Sequence, residues 1–223
     1  AREILQKVKS GGGITLIVGS AISMWHPTLL PAGQIVTNYL AEQLVAQFDV
    51  TDASKKEIIE AIVATPFEYI WDQSPHNSIL EKTVFDECRN RLPNKIHEAI
   101  GNLVASGLVK HIITTNYDTC LDQVLQNNVH IKKVVTEKDA KTIKDNHNIY
   151  FKIHGSVEDG LESTIVYRLS HEGVLPRWKR QVLRQCVSNS TIFVVGYSGL
   201  DFEICPEIKI AQPSQVIWNS YSN

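Results

Sequence analysis

Short apolar runs alternate along this chain with longer stretches in which apolar residues recur every three or four positions. Ile14-Thr15-Leu16-Ile17-Val18 is the first run. His111-Ile112-Ile113-Thr114, Ile149-Tyr150-Phe151-Lys152-Ile153 and Thr191-Ile192-Phe193-Val194-Val195 follow. Runs this short and this apolar predict strands covered on both faces of a parallel sheet. Gln215-Val216-Ile217-Trp218 predicts a last strand and Ile131 to Val135 an additional one. Between the runs, Gln34 to Phe48 places Ile35, Tyr39, Leu40, Leu44 and Phe48 on one helical stripe. Tyr117 to Gln126 does the same with Leu121, Val124 and Leu125, and Trp178 to Val187 predicts a further helix. Strand–helix–strand alternation predicts an α/β fold with helices on both faces.

Residues from about 50 to 106 break the alternation. Ser54-Lys55-Lys56-Glu57 has capping-box spacing, and Pro66 and Pro93 punctuate the helical patterns that follow. This stretch is expected to form a helical insertion beside the sheet, within a single domain spanning 1–223.

Composition narrows the function. The chain is 43% hydrophobic and 21% charged, enough apolar material for a core and too little charge for a disordered segment. Its 22 basic and 24 acidic side chains leave a net charge of −2. Such a balance carries no bulk footprint for nucleic acid or an anionic membrane. No stretch approaches the roughly 20 apolar residues of a bilayer span. Cys88, Cys120, Cys186 and Cys205 are scattered without a CxxC pair. That argues against a structural zinc or a disulfide framework and fits a reducing cytoplasm. The chain starts without Met and stops just past the last strand, so a fragment of a longer protein is expected.

In open α/β sheets ligands bind beyond the carboxyl ends of the strands. The first strand runs into Gly19-Ser20-Ala21-Ile22-Ser23, the second into Thr114-Thr115-Asn116-Tyr117-Asp118. The third runs into His154-Gly155-Ser156 and the fourth into Gly196-Tyr197-Ser198-Gly199-Leu200-Asp201. Each motif alone has a plain alternative. The glycine turn can be a tight turn, and Thr115 or Asn116 can cap the next helix with Asp118 in its first turn. Four strands delivering small or polar residues to one edge carry more weight than any one of them.

Taken in order, Gly19-Ser20-Ala21-Ile22-Ser23, Thr115-Asn116-Tyr117-Asp118, Lys152-Ile153-His154-Gly155-Ser156 and Gly196 to Asp201 resemble the sirtuin superfamily. They resemble more closely the sirtuin-like NAD-hydrolysing domains of bacterial anti-phage defence systems. The resemblance implies a doubly wound, mostly parallel, Rossmann-like sheet and cleavage of the nicotinamide–ribose bond of NAD, with no metal. Asn116 would orient the attacking water and the ribose, and His154 would act as general base. Its ordinary pKa near 6.5 suits that role. Gly19, Ser20, Ala21, Ile22 and Ser23 would cradle the pyrophosphate, with Thr115 beside them, and Asp118 would meet the nicotinamide side. Gly196, Ser198 and Asn219 would hold the adenosine half. Asp201 either binds a ribose hydroxyl or caps the helix that follows. The resemblance also implies a homo-oligomer or a further sensor domain as partner.

Two departures matter. The deacylating branch carries a four-cysteine zinc module after its HG motif, whereas Val157 to Ser170 contains no cysteine. Deacylation is therefore disfavoured. Ala21 stands where the family usually has a second glycine, and its Cβ would either crowd the pyrophosphate or strain a backbone needing positive φ. That feature favours the alternative of a non-catalytic module sensing NAD or ADP-ribose. A serine hydrolase is rejected, because no histidine follows Ser198. The remaining histidines, His97 among them, lack metal spacing and are assigned surface or core roles. Trp25 and His26 either line the nicotinamide pocket or pack. Arg177, Lys179 and Arg180 beside Trp178 are expected to form a solvated helix face.

Overall fold

The computed structural model describes residues 13–31, 33–46, 49, 51–64, 77–128, 130–144, 146–166, 174–201 and 203–219. Six parallel strands form one sheet: β1 (Ile14–Val18), β2 (Val109–Thr114), β3 (Ile131–Val134), β4 (Asn148–Lys152), β5 (Thr191–Val195) and β6 (Gln215–Trp218). Their spatial order is β3-β4-β2-β1-β5-β6. Described helices are α1 (Gly33–Val45), α2 (Asp52–Val63), α3 (Asn77–Asn90), α4 (Lys95–Ala105), α5 (Cys120–Leu125), α6 (Glu137–Ala140), α7 (Arg177–Val187) and α8 (Ile204–Ile210). This is a Rossmann-like α/β fold.

Alternation along the strands divides the core in two. Ile17, Ile113, Phe151, Ile192 and Val194 face α7 and α8, packing on Val182, Leu183, Cys186, Ile204 and Ile208. Their neighbours Leu16, Val18, Ile112 and Tyr150 face the other way, onto Ile100 and Val104 of α4 and Leu121 and Leu125 of α5. Side chains of a strand point alternately to the two faces, so apolar residues at nearly every position need helices on both.

The stretch read as an insertion is helical, but its last helix is not peripheral. α4 covers the sheet, while α2 packs against α1. The N-cap of α2 is Thr51, whose side chain accepts from the Ser54 amide, so the helix starts before the expected Ser54 box. The buried line of α1 is Thr37, Ala41 and Val45, whereas Ile35 and Tyr39 are exposed. The side chains of Leu40 and Leu44 lie outside the described residues. Phe48 and Pro66 lie outside the described residues.

Topology locates the crevice. The chain leaves β1 toward β2 on one side and leaves β5 toward β6 on the other, so the switch point lies between the carboxyl ends of β1 and β5.

Candidate functional site

At the switch point the turns after β1 and β5 close on each other. The Gly19 amide donates to the Val195 carbonyl and the Ala21 amide to the Gly196 carbonyl, both at 3.1 Å. A Cβ on Gly19 would lie 2.5 Å from the Gly196 oxygen and from Tyr197 Cα, so only glycine fits there. Gly196 itself is at φ +64. Ile22 is fully buried, its amide donating to Gly19, and Ser20 is the exposed member of the turn. The amides of Gly19, Ala21 and Ile22 are thus engaged within the protein.

The strain foreseen at Ala21 is absent. Residues 20–24 form a 3₁₀ turn, and among the described residues only Leu29, Asn189 and Gln212 are non-glycines at positive φ.

Beyond β2, the Thr115 amide donates to the Val18 carbonyl and the Asn116 amide to Thr114 Oγ1, which seats the loop between β1 and β4. Buried Lys152 holds it from below, donating to the Tyr117 carbonyl (3.3 Å), the Asp118 carbonyl (2.6 Å) and Asp122 Oδ2 (2.9 Å). Burial pushes the Asp122 carboxyl up, but Lys152 and Lys133 outweigh it and hold it below its ordinary value. Capping of α5 falls to neither Thr115 nor Asn116. Asp118 Oδ1 accepts from the Cys120 amide at 3.0 Å, and Oδ2 accepts from the Ser23 hydroxyl at 2.9 Å. Both oxygens of the residue assigned to the nicotinamide side are therefore occupied internally.

Ser23 is only 1% exposed and faces three groups, two from the loop after β2 and one from α4. It donates to Asp118, receives the Asn116 Nδ2 at 3.4 Å and lies 3.3 Å from His97 Nε2. His97 stands at the third position of α4 in a capping box: the Asn94 side chain accepts from its amide, and its Nδ1 accepts from the Asn94 amide. The Asn94 side-chain nitrogen in turn donates to the carbonyls of Ile22 and Trp25, stitching α4 to the turn after β1. His97 is the participant the sequence reading missed. Its signal was Asn94 followed three residues later by a polar side chain at the head of an apolar helix, with histidine in the place of glutamate.

His154 follows β4 and is 5% exposed. Its Nε2 lies 3.4 Å from Asp201 Oδ1 and 3.7 Å from Glu203 Oε1. Burial lowers its pKa from 6.5 to about 4, against the pull of Asp201 and with a smaller push from Lys179. The ring is neutral at pH 7, far below the value near 6.5 expected for it. Asp201 does not cap α8, whose N-cap is Glu203 without a side-chain cap bond. The solvated-face reading fails at Lys179. That residue is 8% exposed and donates to the Ile153 carbonyl at 2.5 Å, because this bond and the nearby Glu203 carboxylate compensate its burial. Ser198 and Asn219 are exposed, and Trp25 is 60% exposed rather than packed.

Six buried side-chain nitrogen or oxygen atoms lack a hydrogen-bond partner among the described residues, on Arg91, Asn116, Asp122, His154, Arg180 and Tyr197. Asn116 Oδ1 and His154 Nε2 are the two of these on the residues to which the sequence resemblance assigns the reaction. They belong to residues just past the ends of β2 and β4, which are neighbours in the sheet. Buried polar atoms are nearly always paired, and an unpaired one costs roughly 1–3 kcal/mol. One ligand atom each from His97, Asp118 and Cys120 also lie within 4.8 Å of one another.

The model of the family described as SIR2-like domain matches residues 110–210. That span runs from the second residue of β2 to the end of α8. It contains Asn116, His154 and the turn after β5, and it leaves β1 and its turn outside. The match supports sirtuin-like membership and an NAD-related function. No curated protein matches the chain.

Proposed function

We propose that this chain is an NAD glycohydrolase, taking NAD and water to nicotinamide, ADP-ribose and a proton. The observation that carries the reading is the pair of unpartnered buried atoms, Asn116 Oδ1 and His154 Nε2, on the two residues to which the resemblance of the sequence motifs assigns the reaction. A bound substrate with its water supplies the hydrogen-bonding partners these atoms lack.

Breaking the nicotinamide–ribose bond develops positive charge on the ribose. Asn116 Oδ1 accepts a proton bond from the attacking water or a ribose hydroxyl and so orients it. His154, neutral at pH 7, is in the form that accepts the proton released. A charged imidazolium in this dry position is stabilised by Asp201 and Glu203, which face the ring. Ser20 and Ser198, the exposed polar residues of the two turns at the switch point, border the place for the pyrophosphate and adenosine half.

Ala21 carries no backbone strain, which removes one of the two grounds for the sensor alternative and leaves crowding by its methyl group to be tested. The resemblance further supports an NAD-depleting effector of antiviral defence, acting in the cytoplasm and held in check by a homo-oligomer or a partner domain. The test is direct: incubate the protein with NAD and follow nicotinamide by chromatography. Release by the wild type and none by Asn116→Ala is expected. No release by the purified protein in any assembly state refutes the reading.

A further inference from the structure

A side-chain amide can face a ligand with its oxygen or with its nitrogen, and the two ends do opposite chemistry. In this chain the choice at Asn116 is made by a directional chain of hydrogen bonds that begins on a backbone amide. The Asn94 N–H can only donate, and it points at His97 Nδ1 from 3.1 Å. Nδ1 therefore carries a lone pair, and in the neutral ring the proton sits on Nε2. Burial lowers the His97 pKa despite the Asp118 carboxylate, which keeps the ring neutral. Nε2–H then points to Ser23 Oγ at 3.3 Å and cannot accept from it.

The Ser23 hydroxyl proton is left with Asp118 Oδ2, which accepts it at 2.9 Å. With that proton committed, Ser23 offers only lone pairs to its remaining neighbour. Asn116 must meet it with Nδ2, and the amide oxygen is turned away, buried and unpartnered among the described residues. The reversed amide would set Oδ1 against an oxygen with no proton to give.

We propose that Ser23, polarised between His97 and Asp118, is a positioning residue that fixes the Asn116 amide with its oxygen toward the substrate. This deepens the NAD-hydrolysis reading and rests on it. It reassigns Ser23 from the pyrophosphate and Asp118 from the nicotinamide to the support of one catalytic side chain, and it brings in His97 from outside the strand-end motifs.

The test combines a spectroscopic and a kinetic measurement on the full chain. The side-chain amide resonances of Asn116 are identified by NMR through their loss in Asn116→Ala. Ser23→Ala removes the acceptor, and the isosteric Asp118→Asn can donate to Ser23 and return its proton to Asn116. Both are expected to shift those resonances. Asp118→Asn, which changes no volume, carries the test should Ser23→Ala fail to fold. Unchanged resonances in the folded variants overturn the proposal.

Kinetically, Ser23→Ala is expected to lower kcat by up to about 100-fold, the scale of a mispositioned reacting group. KM should hold. In the Asn116→Ala background the same substitution should change the residual rate by less than about twofold, because Ser23 acts through Asn116. ADP-ribose titrated calorimetrically should bind Ser23→Ala as it binds the wild type. A loss of ADP-ribose affinity of about tenfold or more would instead make Ser23 a phosphate ligand and overturn the positioning role. A wild type that cleaves no NAD refutes the hydrolase reading alone, since the amide resonances still decide the orientation.

Discussion

His154 Nε2 and Asp201 Oδ1 lie 3.4 Å apart, a buried imidazole facing a carboxylate from the turn after β5. Glu203 approaches the same nitrogen at 3.7 Å. Burial makes the ring a weak base, and the Asp201 carboxylate opposes that effect. His154→Ala should lower NAD cleavage by about 100- to 10,000-fold, the usual worth of a general base. Asp201→Asn keeps the shape and should cost less, with the pH–rate profile moved to lower pH, since the lost charge no longer helps the ring hold a proton. Nicotinamide release measured from about pH 3.5 to 8 checks both. Near-normal turnover in His154→Ala would remove histidine from the mechanism.

The same burial makes stability depend on pH. His154 and His111 both have folded values of about 4 against an ordinary 6.5, burial being the first cause in each. Between those values the unfolded chain binds protons that the folded chain refuses. Stability is therefore fully present above pH 6.5 and falls as pH drops toward 4, by roughly 1.4 kcal/mol per pH unit for each such histidine. Urea unfolding at pH 7, 6 and 5 should show the decline, and His154→Gln should flatten it by about one proton. A flat profile across this window contradicts the burial of these rings.

The two residues of the first turn differ in what they tolerate. Gly19→Ala places a Cβ 2.5 Å from the Gly196 oxygen, against backbone that cannot step aside. Overpacking of this kind costs about 1–3 kcal/mol, so a lower Tm is expected along with lost NAD binding. Ala21→Gly relieves no strain, because Ala21 is not among the positive-φ residues. It should lower stability by about 0.5–1 kcal/mol through backbone entropy and leave NAD affinity unchanged. Calorimetric titration of both variants decides, and a clear gain in affinity for Ala21→Gly would show that its methyl crowds the ligand.

His97, Asp118 and Cys120 bring possible ligand atoms within 4.8 Å, yet their polar atoms are already used. Both His97 nitrogens and both Asp118 oxygens are hydrogen-bonded, and burial pushes the Cys120 thiol above its ordinary value, away from the thiolate a metal needs. A strong chelator should change neither Tm nor activity. Stoichiometric zinc in the purified protein, or unfolding on chelation, refutes this.

Periodicity located all six strands within two residues and predicted the two-faced sheet, because apolar pattern and strand geometry share a period that no tertiary contact needs to supply. It also brought Asn116, His154 and the two glycine turns to one edge, since strand ends follow from strand positions. It misplaced Ile35 and Tyr39 of α1, which are exposed while Thr37, Ala41 and Val45 are buried, and Lys179 of α7, which points inward. In both, the neighbouring element decides which face is covered, and a helix pattern read alone contains no neighbour.

What the sequence determined by itself was therefore the parallel α/β architecture and the identity of the strand-end residues, both consequences of local spacing. Tertiary structure alone decided what those residues do to one another. Ser23, the Asn116–Asp118 loop and His97 come from three separate stretches of chain and meet only when α4 packs over the turn after β1. Hydrogen-bond direction and desolvation, which place the protons and set the His154 pKa, are properties of atoms within a few ångströms in space, and distance along the chain does not encode them.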